Sequence, residues 1–224
     1  ALSGEGLRCL GRLSGIYLFI AMFWALFDQN GSSWVLQSQQ MDRIVFGVEI
    51  LPSQIQAANP LLIVLLTPLF YRFLYPALGR YLHLGYLNKI AIGLFITVLS
   101  FVLIAAIQMR IDAGFHPGIG WQLLAYLLLT SAEVMVSITC LEFSYTQAPR
   151  SMKSLVMSLY MAAVALGNLF TSAVNFFIEN PDGSSRLAGA SYFWFFAALM
   201  LATALGFVWH SRNYREKTYL QDET

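Results

Sequence analysis

Six stretches of the chain stay apolar for about 20 residues or more, which is long enough to cross the hydrocarbon of a bilayer as a helix. They run over 11–37, 54–75, 85–108, 121–147, 154–178 and 187–210. The connections between them are short and punctuated by Pro and Gly: Leu51-Pro52, Pro76 with Gly79, Pro117-Gly118, Pro149 and Pro181-Asp182-Gly183. None of these separates two domains. The pattern therefore predicts an all-α membrane protein, one bundle of six transmembrane helices, with a polar cytoplasmic tail over 211–224. Pro60 and Pro68 fall inside the second stretch and predict a bend there, because each removes a backbone donor. The third stretch is apolar apart from Thr97 and Ser100 and reads as a peripheral helix. Ala163 with Gly167, and Ala198, Ala202 and Gly206, have the small-residue spacing that lets helices approach closely.

Composition sharpens this reading. Of 224 residues, 58% are hydrophobic and only 11% charged, against roughly 25% charged in soluble domains. A soluble protein this apolar could not cover its surface with polar groups. The net charge of +1 gives no argument for a nucleic-acid partner. Cys9 and Cys140 lie far apart, and His83, His116 and His210 fall in loops or at a span end, so neither a disulfide framework nor a metal site is expected. The opening at Ala1, with no initiator Met and no signal sequence, reads as a piece of something longer.

The basic residues orient the bundle. Arg8, Arg12, Arg72, Arg80, Lys89, Arg150, Lys153, Arg212, Arg215 and Lys217 fall on one side, and Arg43, Arg110 and Arg186 on the other. These ten and three account for all 13 Lys and Arg. By the positive-inside rule both ends of the chain are cytoplasmic.

Three carboxylates interrupt the apolar spans. Asp28 stands roughly 24 Å above the cytoplasmic end of the first span, at 1.5 Å per residue. Trp24, Asp28 and Ser32 share one face, and the polar run Asp28-Gln29-Asn30-Gly31-Ser32-Ser33 wraps around the helix. So much polarity cannot face lipid. Asn30-Gly31-Ser32 fits a glycosylation sequon but lies within the span. Glu133 lies roughly 18 Å below the start of the fourth span, near the midplane, with Ser137 on its face. Glu142 is nine residues further, half a turn out of phase and about 13 Å nearer the cytoplasm. The two are expected to be separate sites with separate partners. A carboxylate at membrane depth needs a countercharge or a proton, yet every Lys and Arg maps to a loop or a span end. The partners are therefore expected from another chain segment, a ligand cation or a proton, which is a physical basis for proton coupling.

The first span of each triplet carries a mid-membrane acid, Asp28 or Glu133. This is the expectation for a 3+3 inverted repeat, one half of a major facilitator superfamily fold. The residues also resemble a particular family. The run from Phe23 to Trp34, FWALFDQNGSSW, is similar to the seventh helix of proton-dependent oligopeptide transporters. Gln56-Ala57-Ala58-Asn59-Pro60 is similar to the start of their eighth, and Leu141 to Pro149, LEFSYTQAP, with Ser151-Met152-Lys153-Ser154, to the end of their tenth. Gly167-Asn168 resembles a motif of their eleventh.

The resemblance covers essentially the whole chain. It implies the C-terminal six-helix half of a bacterial member in the inner membrane, partnered by the N-terminal half. The implied function is symport of di- and tripeptides with protons by alternating access, with no cofactor beyond the proton. The large extracellular domain of animal members is absent, since the interval from Arg110 to Gly120 is too short. Residue by residue, the resemblance makes Glu133 the acid that receives the peptide amino terminus and takes part in proton coupling. Asn59 becomes an amide at the same terminus, Trp24 and Ser137 lining groups, and Asp28 an acid of the outer gate. Glu142 and Lys153 fall toward the cytoplasmic gate. Tyr160 stands where the family often has tryptophan, which bears on side-chain preference. The competing readings are the same fold carrying nitrate or an amino acid, a sensor built on a transporter fold, and an intramembrane protease. The last needs two acids close together, and the depths read for Asp28 and Glu133 argue against it.

Overall fold

The computed structural model describes residues 4–81, 83–148, 150–178 and 185–214. Six helices long and apolar enough to cross a membrane run over Leu10–Ser38 (α1), Pro52–Leu78 (α2), Tyr86–Asp112 (α3), Gly120–Gln147 (α4), Lys153–Ile178 (α5) and Ala190–Arg212 (α6). Of the stretches read from the sequence, α2 and α3 extend three and four residues beyond their expected C-terminal ends, and α6 begins three residues later. The turn at 181–183, Pro149, and residues 215–224 of the tail lie outside the described residues.

The way the helices pair reveals an internal symmetry. α1 packs on α5 and α4 on α2; α3 packs on α4 and α6 on α1; α3 and α6 pack on each other. Exchanging α1 with α4, α2 with α5 and α3 with α6 maps this set of contacts onto itself. The 3+3 repeat, for which the sequence offered only an acid in each first helix, is thus present in the packing. The same exchange relates the two least covered helices, since only 11% of the apolar window of α2 and of α5 is buried.

α3 is not peripheral. It is the most buried of the six, with 61% of its window covered. An apolar circumference reads alike on a helix facing lipid and on one enclosed by apolar neighbours, so hydropathy could not separate the two. Gly93 makes the enclosure possible: a Cβ there would stand 2.6 Å from Val136 and 3.2 Å from the Ala132 carbonyl. Gly167 does the same for α5 against α1, because a Cβ would collide with the backbone at Ala21 and Ala25. Of the small residues of α6, Gly206 lets Phe19 of α1 come close, a Cβ there standing 3.2 Å from its ring, but the two alanines behave otherwise. Ala198 and Ala202 are exposed, and α6 packs through Phe193, Phe196, Met200 and Phe207.

Three helices depart from α geometry. α1 tightens into a 3-10 turn over Asp28–Gly31, where Gln29 and Asn30 side chains donate to the carbonyls of Ala25 (3.1 Å) and Phe27 (2.6 Å). α2 widens into a π turn over Phe70–Leu74, between Pro68 and Pro76, where ring-blocked donors already interrupt the ladder. α4 widens likewise over Val134–Ile138, directly after Glu133. The two π turns pack together in a small cluster of their own, built from Phe70, Tyr75, Val134 and Met135.

The end of the bundle that holds the loop between α1 and α2 is tied by buried amides. Gln37 donates to the Ile104 carbonyl (3.1 Å) and to Gln108 (2.9 Å). Gln122 donates to the Trp34 carbonyl at 2.7 Å. Asp112 accepts from Gln108 and from the Ala190 backbone N–H at the start of α6, 2.9 Å each. Between α1 and α2 a short hairpin pairs β1 (Ile44–Val45) with β2 (Val48–Glu49). Its two-residue turn puts both Phe46 (φ 52°) and Gly47 (φ 81°) in the left-handed region, as a tight hairpin requires, and Arg43 pairs with Glu49 at 2.5 Å.

Candidate functional site

Glu133 ends the α-helical part of α4, and α2 is the helix packed against it there. The Asn59 side-chain nitrogen donates to Glu133 Oε2 at 3.0 Å and to Thr130 Oγ1 at 3.1 Å. An ionised carboxylate can only accept, so the amide must present its nitrogen here, and both of its N–H groups are used. Thr130 is buried and Glu133 partly buried. Asn59 is itself half-covered and lines a cavity of about 430 Å³ between α1 and α2, whose wall also includes Asp28, Gly31 and Gln56. Asp28 is exposed to that cavity, with the Asn168 amide of α5 beside it.

Among the described residues no basic side chain pairs with Asp28, Glu133 or Glu142. Carboxylates in a partly desolvated site without a countercharge call for a proton or an external cation.

Below Glu133 the same face of α4 continues. Ser137 shares a 2.8 Å hydrogen bond with the buried Tyr160 hydroxyl on α5. Trp24 on α1 is half-buried, and its indole N–H is turned toward Tyr160 without reaching a hydrogen-bond partner. Tyr17 packs edge-on against Tyr160, 6.0 Å between centroids, and donates to Ser144 at 2.8 Å. The structure therefore brings together Glu133, Asn59, Ser137, Tyr160, Trp24 and Asp28 on the inner faces of α1, α2, α4 and α5.

Glu142 and Lys153 stand apart from this group. Glu142 accepts a hydrogen bond from the Tyr71 hydroxyl of α2. Lys153 lies with its ammonium 5.6 Å from the centre of the Tyr145 ring and does not pair with Glu142. The two acids of α4 do have separate partner residues, but both partners lie on α2, contrary to the half-turn phase difference. The π turn explains this. It inserts about one residue without advancing the helix, so nine residues turn Glu142 by about 80° from Glu133, not by about 180°. Thr130 and Tyr71 are additions to the residues singled out from sequence, while Asn168, read there only as part of a motif, lies beside Asp28. Thr130 was within reach as the i−3 neighbour of Glu133, whereas the partnership of Tyr71 depends on two π turns that leave no pattern in the sequence.

The chain resembles known proteins in sequence and in fold. The family model described as "PTR2: POT family" matches residues 2–195. The chain belongs to the POT family. Among curated POT-related proteins, it is 44% identical over 105 residues to "Peptide transporter family 1" of Drosophila melanogaster, an alignment covering 47% of this chain and 14% of that protein. It is 26% identical over 201 residues to "Peptide transporter PTR2" of Saccharomyces cerevisiae, covering 84% of this chain and 31% of that one. The fold superposes on an auto-inhibited POT family peptide transporter with a TM-score of 0.89 at 36% identity, covering 98% of this chain and 44% of that structure. The transporter PepTSo gives 0.85 at 36% identity, covering 94% and 42%. The chain thus spans less than half the length of the solved POT transporters it matches, which corresponds to one half of a major facilitator fold.

Proposed function

We propose that this chain is the C-terminal six-helix half of a bacterial proton-coupled transporter of di- and tripeptides, set in the inner membrane with both ends of the segment cytoplasmic. The observation that carries the reading is the Asn59–Glu133 hydrogen bond in a site with no basic partner among the described residues. An amide and a carboxylate held side by side form a receptor for an ammonium group: the carboxylate supplies charge and the amide oxygen a second acceptor. A peptide amino terminus has that chemistry, and a nitrate ion does not. When no amine is bound, a proton satisfies Glu133 instead. Exchange of proton for ammonium at one carboxylate is what couples the two fluxes.

The N-terminal half supplies the cation for Asp28 and the basic groups for the peptide carboxylate, since among the described residues no basic side chain pairs with Asp28. The mouth of the cavity at Asp28 lies toward the end that holds the hairpin, and Tyr71, Glu142 and Lys153 lie toward the basic end. Alternating access opens these ends in turn.

The test is uptake by the full-length protein that contains this chain, reconstituted in proteoliposomes with an imposed proton gradient. Labelled dipeptide should accumulate with the gradient, while nitrate and single amino acids should not. Glu133→Gln keeps an acceptor for Asn59 but removes the charge. A charge-assisted hydrogen bond contributes about 1.5–3 kcal/mol, so gradient-driven uptake should fall about 10- to 100-fold. Uptake of dipeptide by Glu133→Gln at the parent rate would overturn the assignment.

A further inference from the structure

The basic end of the bundle holds a second constellation, remote from Glu133, that the transport reading leaves unused. There the first turns of α1 meet the last turn of α6. Gly11 and Gly15 lie one turn apart on α1, with Arg12 between them. Facing them are His210, in the last turn of α6, and Asn213 and Tyr214 just beyond it. Gly11, Arg12, His210, Asn213 and Tyr214 together line a cavity of about 440 Å³.

Three features make this a site and not a packing gap. First, two buried polar nitrogens have no hydrogen-bond partner: Arg12 Nη2 and His210 Nε2. A buried donor left unmade costs about 1–3 kcal/mol, more when charged, so two in one cavity ask for an acceptor. Second, aromatic rings flank both basic groups. The Arg12 guanidinium lies 4.9 Å from the centre of the Tyr214 ring, and the His210 ring is held between Phe19 and Tyr214, at 5.5 and 6.3 Å between centroids. Third, the α1 wall is backbone. A Cβ on Gly11 would meet nothing within 4 Å, so the cavity opens there, and a Cβ on Gly15 would stand 3.2 Å from His210 Nε2.

The C-terminal end of the α6 dipole attracts cations and accounts for Arg12 and His210 gathering there. It does not account for their unpaired nitrogens. Those need an acceptor with several oxygens and negative charge, at the level where lipid headgroups lie. Exposed Arg8 and Arg212 nearby add to the positive field.

We propose that Arg12, His210 and Asn213 form a binding site for a phosphate group between the ends of α1 and α6. The Arg12 guanidinium and the His210 ring turn their buried, unpaired nitrogens out of the wall to donate to the phosphate oxygens. The Asn213 amide, held only by a 3.3 Å bond to the Trp209 carbonyl, turns to donate from the rim. The phosphate can come from an anionic lipid headgroup or from free phosphate, and the chemistry of the site is the same for both.

Native mass spectrometry of the full-length protein in detergent, titrated with phosphatidylglycerol or with phosphatidylcholine, tests the lipid source. Thermal melting in inorganic phosphate tests the free ion. The parent protein should retain phosphatidylglycerol over phosphatidylcholine, and Arg12→Gln should lower phosphatidylglycerol occupancy at least tenfold with phosphatidylcholine occupancy unchanged. If the free ion is the ligand, inorganic phosphate raises the parent melting temperature and not that of Arg12→Gln. Asn213→Ala, at an exposed position, repeats the measurement with the fold undisturbed and should weaken binding severalfold. Equal phosphatidylglycerol occupancy in parent, Arg12→Gln and Asn213→Ala, with no melting shift in phosphate for any of them, would overturn the site.

Discussion

At the scale of single residues the decisive arrangement is one amide shared between a hydroxyl and a carboxylate. Asn59 uses both N–H groups on α4, at Thr130 and Glu133. Replacing it by leucine keeps the volume and strands both acceptors. Loss of a hydrogen bond to a charged group, with the acid left half-buried, should cost about 1–3 kcal/mol of stability. Glu133→Leu alone should cost less, since it removes a costly charge. The double variant should be more stable than the sum of the two single effects, because it leaves only Thr130 unpaired. Thermal melting of the four proteins closes this cycle, and strict additivity would mean that the Asn59–Glu133 contact carries no energy. Much at this scale was legible in the sequence. A carboxylate in an apolar helix announces itself, and Asn59 and Ser137 sit among few polar neighbours. Trp24 and Tyr160 needed the resemblance, because aromatic side chains in a span look alike whether they line a cavity or face lipid.

At the scale of elements, α2 and α4 act as a pair, and the pairing depends on irregular turns. Each helix has a π turn, the two pack on each other, and Tyr71, within the π turn of α2, donates to Glu142 below that of α4. Hydrophobic periodicity assumes a constant 100° per residue, so it put Glu142 on the wrong face. Deleting Ile138 should convert the π turn of α4 to α and keep Glu142 on the same face, because eight α residues turn it by the same amount, about 80°. The coupling between Tyr71→Phe and Glu142→Gln, read from the thermal melting of parent, single and double variants, should therefore persist in the deletion background. Loss of that coupling on the deletion would show that the π turn does not set the register. Close approach of α1 and α5 has a different origin and a simpler test. Gly167→Val would drive side-chain atoms into the backbone at Ala21 and Ala25, and overpacking of this kind costs about 1–3 kcal/mol or more. The melting temperature should fall, while Ala202→Val, on an exposed face of α6, should leave it within experimental scatter.

At the scale of the whole molecule, the pseudo-twofold contact pattern leaves α2 and α5 as the two sparsely covered helices, and α1, α2, α4 and α5 turn toward one another the faces that carry Asp28, Asn59, Glu133 and Tyr160. A bundle that encloses a charged site has little reason to leave these same helices open unless another bundle covers them. On α2 the open face runs through Leu61, Val64, Leu65 and Leu69, and on α5 through Met161, Leu166 and Leu169, all exposed. Spin labels placed one at a time along these faces should report oxygen accessibility typical of lipid when the chain is expressed alone. When the rest of the full-length protein is present, a contiguous arc on α2 and another on α5 should lose that accessibility. Labels at Leu201 and Leu205, on the outer face of α6, should keep it. The arcs should be related by the exchange that maps α2 onto α5, since a partner bundle built on the same repeat meets both helices alike. If α2 and α5 stay as accessible to oxygen as α6 in the full-length protein, their sparse covering is a lipid surface. The cation for Asp28 must then come from somewhere other than a second half.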